Sequence, residues 1–480
     1  MPRRDVLDLD ATAQLSALAL KQVGAVELLK ATLARHEQTH GALNAVVAAD
    51  LARALERARA IDEQRIKGEH MGPLAGLPMT IKDSLDVAGM PASSGLAALR
   101  QRSARDATAV GHARRAGAVI WGKTNTPVMA GDWQSYNSLY GVTNNPWDIA
   151  RTPGGSSGGA AAALAAGVTA LEIGSDIGGS LRVPASFCGV FAHKPTWGMV
   201  TQHGHVPPAP GSWVERDLNV VGPMARSARD LRLLLSIIED GPLAPRAPPA
   251  DLANTRIALW LDAPQFPLDA EVRAVAEAFA KDLTAAGATV EPIASPVDSE
   301  ALLEAYVTLL CATVAEDFPE SQLRQFELMR GPAGLMRAIG GPLSTPNLMR
   351  AYTATHREWM AADAVRMRLR HEMREVFERF DVVLAPIAPT AAFPHDRRSV
   401  NARKLALSDG SAVPYMSMLT WIALATACGL PATAIPAGRT PRGLPVGVQL
   451  IGPQAGDART LAVAQAIDEN IGGFVAPPEL

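Results

Sequence analysis

Thr152-Pro-Gly-Gly-Ser-Ser-Gly-Gly-Ala160 and Gly174-Ser-Asp-Ile-Gly-Gly-Ser-Leu-Arg182 are the two segments on which the reading of this 480-residue chain turns. The second is fed by a short apolar run, Ala170 to Ile173, and the first opens into a small-residue stretch, Gly158 to Gly167. A buried strand delivering one Gly/Ser loop, beside a helix that starts from another, is the local pattern of α/β layers. The same alternation continues outward. Leu77 to Ile81 predicts a buried strand, Ala107 to Ala116 a helix, and Ala118-Val-Ile-Trp-Gly122 a second buried strand. Residues 11–36 and 44–67 carry helical periodicity. Arg256-Ile-Ala-Leu-Trp260, a helix over 270–286, and Ala288-Thr-Val-Glu-Pro-Ile293 form a strand–helix–strand unit of parallel-sheet type. Residues 299–380 are mostly helical, with breaks expected at Gly331-Pro332 and Gly340-Gly-Pro342. Strands are expected again at 381–386, 432–435 and 446–451, and a last helix near 456–470. The Pro-rich stretch 241–250 reads as a domain boundary or a surface loop.

The two Gly/Ser segments also carry the chemistry. Gly154-Gly-Ser-Ser-Gly158 fits a nucleophile-elbow pattern, which would make Ser156 the nucleophile of an α/β-hydrolase. An elbow needs a buried strand before it, however, and Asn144-Asn-Pro-Trp-Asp-Ile-Ala-Arg-Thr-Pro153 is a polar, Pro-broken loop. Ser180 has the better setting, because Leu171 to Asp176 can place it at a strand end. Gly178 and Gly179 let the backbone turn the N–H groups of Ile177, Gly178, Gly179 and Ser180 toward an oxyanion. Lys82, after Leu77-Pro-Met-Thr-Ile81, is expected at the end of a buried strand, where burial disfavours the ammonium and makes the amine a base. The alternative is a structural lysine paired with Asp83 or Asp86.

Composition narrows the field. A net charge of −3 and the lack of any long Lys/Arg run give no footprint for nucleic acid or an anionic membrane. Cys188, Cys311 and Cys428 are far apart and odd in number, which points to no disulfide framework and a reducing compartment. No apolar run follows Met1-Pro-Arg-Arg-Asp5, so no signal peptide is expected, and no window reaches about 18 uninterrupted apolar residues. A cytoplasmic protein is expected. No histidine cluster has metal spacing; His203-Gly-His205 sits in a Pro-rich loop and reads as surface or, at most, a weak metal site. No metal and no cofactor are expected.

Taken together, these segments resemble the amidase signature family. Gly72-Pro-Leu-Ala-Gly-Leu-Pro-Met-Thr-Ile-Lys-Asp83 resembles its lysine segment, and Pro153 to Gly159 with Gly174 to Ala185 resemble the signature itself. Gly117 to Pro127, Asn144 to Trp147, Phe187-Cys-Gly189, Lys194 to Gly198 and Gly222 to Arg226 continue the likeness. Gly429-Leu-Pro-Ala432 and Gly443 to Gly452 resemble its C-terminal part. The resemblance implies one α/β domain over 1–480, a large twisted mixed sheet covered by helices on both faces. Its core would span 70–240 and 380–470, with a more variable, substrate-shaping region at 245–375. It implies a triad of Ser180 as nucleophile, Ser156 as bridging serine and Lys82 as base, with a cis peptide at Gly155–Ser156. Ser157, Asp176 and Arg182 would support the loop through hydrogen bonds.

The implied function is hydrolysis of carboxylic amide C–N bonds through an acyl-enzyme on Ser180. Small apolar or aryl amides are the expected substrates, with side activity on esters or carbamates. The alternatives are the amidase subunit of a tRNA-dependent amidotransferase, an esterase using Ser156, and an amide-binding protein with a decayed site. The subunit reading is disfavoured because His203 to Asn219 departs from the Ser-rich Asp-Gln segment such subunits carry. All three triad positions are filled, which argues against decay. Trp133, Tyr136, Trp213, Phe318, Met329 and Met336 are candidate pocket residues, and Arg216 the nearest candidate for a substrate carboxylate. No membrane-anchoring extension of the kind fatty-acid amide hydrolases carry is expected, which favours a soluble substrate, and a homodimer is compatible with the sequence.

Overall fold

Eleven strands form one sheet in the computed structural model, which describes residues 3–100, 103, 105–208, 213–241 and 250–478, with the backbone alone at 3–5 and 332–340. In spatial order they are Val46–Ala49, Val119–Thr124, Pro78–Lys82, Leu171–Asp176, Val220–Ala225, Phe191–Lys194, Ala432–Arg439, Pro445–Ile451, Val382–Pro386, Arg256–Leu259 and Thr289–Pro292. Pairing is parallel around Pro78–Lys82 and around Arg256–Leu259. Between those wings every pair is antiparallel. The strand–helix–strand unit of 256–292 is parallel, as its pattern predicts.

Successive strand side chains point to opposite faces, and here they enter two different cores. Val382 and Leu384 join one apolar cluster with the helices of the N-terminal region, Ala228–Ile238, Ala270–Ala285 and Asp457–Ile471. Val383 and Ala385 join a second, with Arg182–Cys188, Ser299–Val314 and His356–Arg379. The sheet is thus covered on both faces, which explains why its central strands are almost wholly buried.

Three local expectations need correction. The 11–36 helix is two, Ala11–Ala19 and Ala25–Leu43. Asp62 accepts the N–H groups of Ala25 and Val26 at 2.7 and 3.0 Å, capping a second helix start that periodicity alone does not reveal. Residues 44–67 begin with the edge strand Val46–Ala49 before the helix Leu51–Ile66. The expected break at Gly331-Pro332 is absent; the helix Glu320–Gly340 runs through it and ends at Gly341, whose φ is +70°. Arg330, ion-paired to Glu358 and bonded to the Thr353 carbonyl, anchors the turn entering that proline. Residues 242–249 of the Pro-rich connector and the side chain of Met336 lie outside what the structure describes.

Candidate active site

Parallel pairing in the register Thr80↔Glu172 and Ile81↔Ile173 brings the carboxyl ends of two strands side by side. Met79 and Ile81 face the apolar core, so Thr80 and Lys82 face the other way, toward Glu172 and the Gly/Ser loops. Lys82 is fully buried. Its Nζ lies 2.7 Å from Ser156 Oγ and 2.9 Å from Ser175 Oγ. Neither Asp83 nor Asp86 is its partner: Asp83 accepts from Ser93 and pairs with Lys123, and Asp86 accepts from Ser103. Burial pushes the Lys82 pKa down to about 7, against the pull of Asp176 and Glu172. Glu172 is itself buried, and its pKa is pushed up to about 8, so its pull weakens as it takes up a proton.

The first Gly/Ser loop carries Ser156 into this corner. The Gly155–Ser156 peptide bond is cis, the isomer the family resemblance implied. A Cβ on Gly155 would run into the Asp132 carbonyl oxygen and lie 2.8 Å from Gln134 N, so the loop lies against its neighbour only because residue 155 is glycine. The helix Gly158–Ala165 starts directly after Ser157 and is buried over its whole length, which is why it is built of Gly, Ala and a single Leu.

The second loop is held by Asp176 and Arg182, both buried. The Asp176 carboxylate accepts from the N–H groups of Gly179 and Leu181 at 2.8 and 3.1 Å, and from the Arg182 guanidinium at 3.0 and 3.1 Å. Burial opposes its charge, but Arg182 outweighs burial and holds the Asp176 pKa at about 2. Arg182 also donates to Gln449 and Thr426, tying the loop to the far half of the sheet. Ser157 donates its backbone N–H to the Ser180 carbonyl at 3.1 Å, stitching one loop to the other. The Gly179 N–H is directed at Asp176, which leaves the N–H groups of Ile177, Gly178 and Ser180 as the candidate oxyanion donors.

Ser156, Ser175 and Ser180 form the floor of a cavity of about 680 Å³. Trp133 closes one side, its Nε1–H donating to the Gly178 carbonyl at 2.7 Å. Leu310, Val314, Phe318, Phe326 and Tyr352 supply one stretch of the wall, and Tyr415, Met416 and Leu419 another. Of the candidate pocket residues, Trp133 and Phe318 line it. Tyr136 instead accepts from Arg403, Trp213 is exposed and stacked on His203, and Met329 is half exposed. Arg216 lines the cavity with its charge already matched by Asp317 and Glu316.

Two residues escaped the sequence reading. Ser175 carries a hydroxyl directly against Lys82, and His205, expected at the surface, is buried beside it. The Pro-rich context of His205 hid it; the Leu85↔His205 bridge and the Val206 N–H donated to the Ser84 carbonyl fasten its loop beneath the surface.

A family model described as Amidase matches residues 27–461. The chain belongs to the Amidase family. It is 32% identical to a glutamyl-tRNA(Gln) amidotransferase subunit of Anaeromyxobacter sp. (strain K), across 100% of this chain and 99% of the relative. The crystal structure of an amidase superposes with a TM-score of 0.79 at 29% identity, covering 96% of this chain and 99% of the other. A peptide amidase in complex with chymostatin gives 0.76 at 26% identity, over 98% and 99%. Among Amidase-family neighbours this chain keeps the mixed α/β sheet, and no helix among its described residues is long and apolar enough to cross a membrane.

Proposed function

We propose that the chain hydrolyses carboxylic amides through an acyl-enzyme on Ser180. The observation that carries this reading is a fully buried lysine amine 2.7 Å from Ser156 Oγ, at the floor of an apolar cavity that Ser180 also lines. Neutral Lys82 takes the Ser156 proton as Ser156 takes that of Ser180, whose oxygen attacks the amide carbonyl. The N–H groups of Ile177, Gly178 and Ser180 receive the oxyanion. Reversal of the relay protonates the amine as the C–N bond breaks. Water, activated by the same relay, then releases the acid and restores Ser180.

The charged side chains of Asp132, Arg216 and Asp317 that line the cavity are already neutralised. Arg216 is paired with Asp317 and Glu316, and Asp132 with Arg403. That supports an uncharged substrate with an apolar or aromatic group, and esters or carbamates of the same shape would meet the same relay. A second reading, as one component of an amidotransferase, is supported by the full-length likeness to such a protein.

Two experiments separate the readings. Treatment with phenylmethanesulfonyl fluoride followed by peptide mass mapping is expected to label Ser180 in the wild type and not in Lys82→Ala. Turnover of aryl amides by the isolated chain, lost in Ser180→Ala, supports the hydrolase. Turnover retained in Ser180→Ala refutes the acyl-enzyme, and activity that requires a co-purifying second protein favours the amidotransferase.

A further inference from the structure

The relay leaves two polar groups at the cavity without a task, Ser175 and His205. His205 lines the cavity with its Nδ1 2.8 Å from the Pro207 carbonyl oxygen and its Nε2 2.8 Å from Ser175 Oγ. A carbonyl oxygen only accepts, so Nδ1 carries the hydrogen; a lone pair there would face the oxygen's own. Burial, with Lys82 beside it, pushes the His205 pKa down to about 3, so the ring is neutral and Nε2 presents a lone pair. The Ser175 hydroxyl therefore donates to Nε2, the Ser84 hydroxyl being a second, longer candidate at 3.4 Å. With its hydrogen committed, Ser175 Oγ can only accept from Lys82. A neutral amine has two hydrogens and one lone pair. The hydrogens go to Ser175 Oγ and, at 3.5 Å, to the Ser175 carbonyl, which leaves the lone pair for Ser156.

We infer that His205 is a positioning residue that, by holding the Ser175 hydroxyl hydrogen, keeps the lone pair of Lys82 aimed at Ser156. The inference rests on Lys82 being the base of the proposed hydrolase. Without an acceptor at position 205, the Ser175 hydroxyl turns its hydrogen to the Lys82 lone pair and competes with Ser156. That arrangement also stabilises the neutral amine over the ammonium. The charged groups facing these residues, Asp176 and Glu172 toward Lys82 and Arg216 toward His205, stay the same.

The test uses His205→Phe, which keeps a ring and removes the acceptor, with His205→Leu as a second deletion should the first not fold. His205→Gln, whose side-chain oxygen can reach the Nε2 position, is the rescue. The Lys82 titration is read without any substrate, from the ¹³Cε resonance of labelled lysine assigned with Lys82→Arg. The deletion is expected to lower the Lys82 midpoint by about one unit, the size of shift a single hydrogen bond to the neutral form brings. It is also expected to lower kcat on an aryl amide about tenfold or more, within the range of one misaligned proton transfer, with KM nearly unchanged. His205→Gln should recover both. An unmoved midpoint in the deletion, or equal losses in the deletion and in His205→Gln, overturns the assignment. A midpoint that moves as expected in a protein that hydrolyses no amide upholds the hydrogen-bond order and refutes the hydrolase reading instead.

Discussion

Replacing Lys82 with methionine is expected to make the protein more stable. The folded site holds this amine at a pKa of about 7, whereas an ordinary lysine titrates at 10.5. At pH 7 about half of the folded molecules carry the neutral amine, but only about one unfolded chain in 3,000 does. That difference costs the folded state about 4 kcal/mol. Methionine has nearly the same length and no charge to desolvate, so it removes the penalty. It also removes the contacts to Ser156 Oγ and Ser175 Oγ, worth roughly 1 kcal/mol each. The balance is a gain of about 2 kcal/mol at pH 7. The sign follows from proton counting: between the folded and unfolded pKa values the unfolded chain binds the extra proton, so the wild type gains stability as pH rises from 7 toward 10.5. The advantage of Lys82→Met should therefore shrink as pH rises, vanish at about pH 9, where the charge penalty equals the lost contacts, and become a deficit of about 1 kcal/mol by about pH 10. Urea unfolding followed by tryptophan fluorescence at about pH 7, 8.5 and 10 measures it. A variant less stable than wild type at neutral pH, or a gap that does not change with pH, refutes a neutral buried base. The same variant should be inactive, a trade of function for stability.

Because the neutral amine is the competent form, kcat/KM for an aryl amide is expected to rise about tenfold per pH unit below 7 and to level off above it, as read from a pH–rate profile. Asp176→Ala leaves the buried Arg182 guanidinium without its carboxylate and should cost about 3–5 kcal/mol, seen as a large drop in Tm. Trp133→Phe removes one hydrogen bond to the Gly178 carbonyl; about 1 kcal/mol of stability should go, while kcat is expected to fall more steeply because Gly178 lies in the loop that carries Ser180. Gly155→Ala drives a methyl into the Asp132 carbonyl and should cost about 1–3 kcal/mol in urea unfolding, with sulfonyl labelling of Ser180 lost in parallel.

Much of this is legible in the chain itself. Short apolar runs flanked by Gly and Pro locate the strands that hold Lys82 and Ser175, because a strand buried on both faces has little choice but Val, Ile, Leu and Ala. The alternation in Met79-Thr-Ile-Lys82 already separates a core-facing pair from a site-facing pair. Phe191–Lys194 and Val220–Ala225, in contrast, are not read as strands; the family landmarks touch the first only at Lys194 and the second from Gly222 on, and His193, Lys194 and Pro223 interrupt their apolar pattern. His205 escapes notice for a different reason. Nothing local distinguishes a histidine in a proline-rich surface loop from one folded beneath it, and only long-range packing brings it to Ser175. The pocket candidates divide on the same ground: an aromatic residue in the correct segment can still point to solvent, as Trp213 does.

The seam between the parallel wing and the antiparallel centre has a consequence for inheritance. Lys82 and Ser175 stand on adjacent strands of one sheet, and Arg182 clamps the loop that carries Ser180 to that sheet's far side. The walls that would touch a substrate come from elsewhere, chiefly the helices of 299–352 and the segment around 415–419. Mutations can therefore reshape those walls without disturbing the strands that hold Lys82 and Ser175. A lineage built this way can exchange one amide for another while its chemistry stays in place, and a gene that loses its substrate retains the means to acquire a new one.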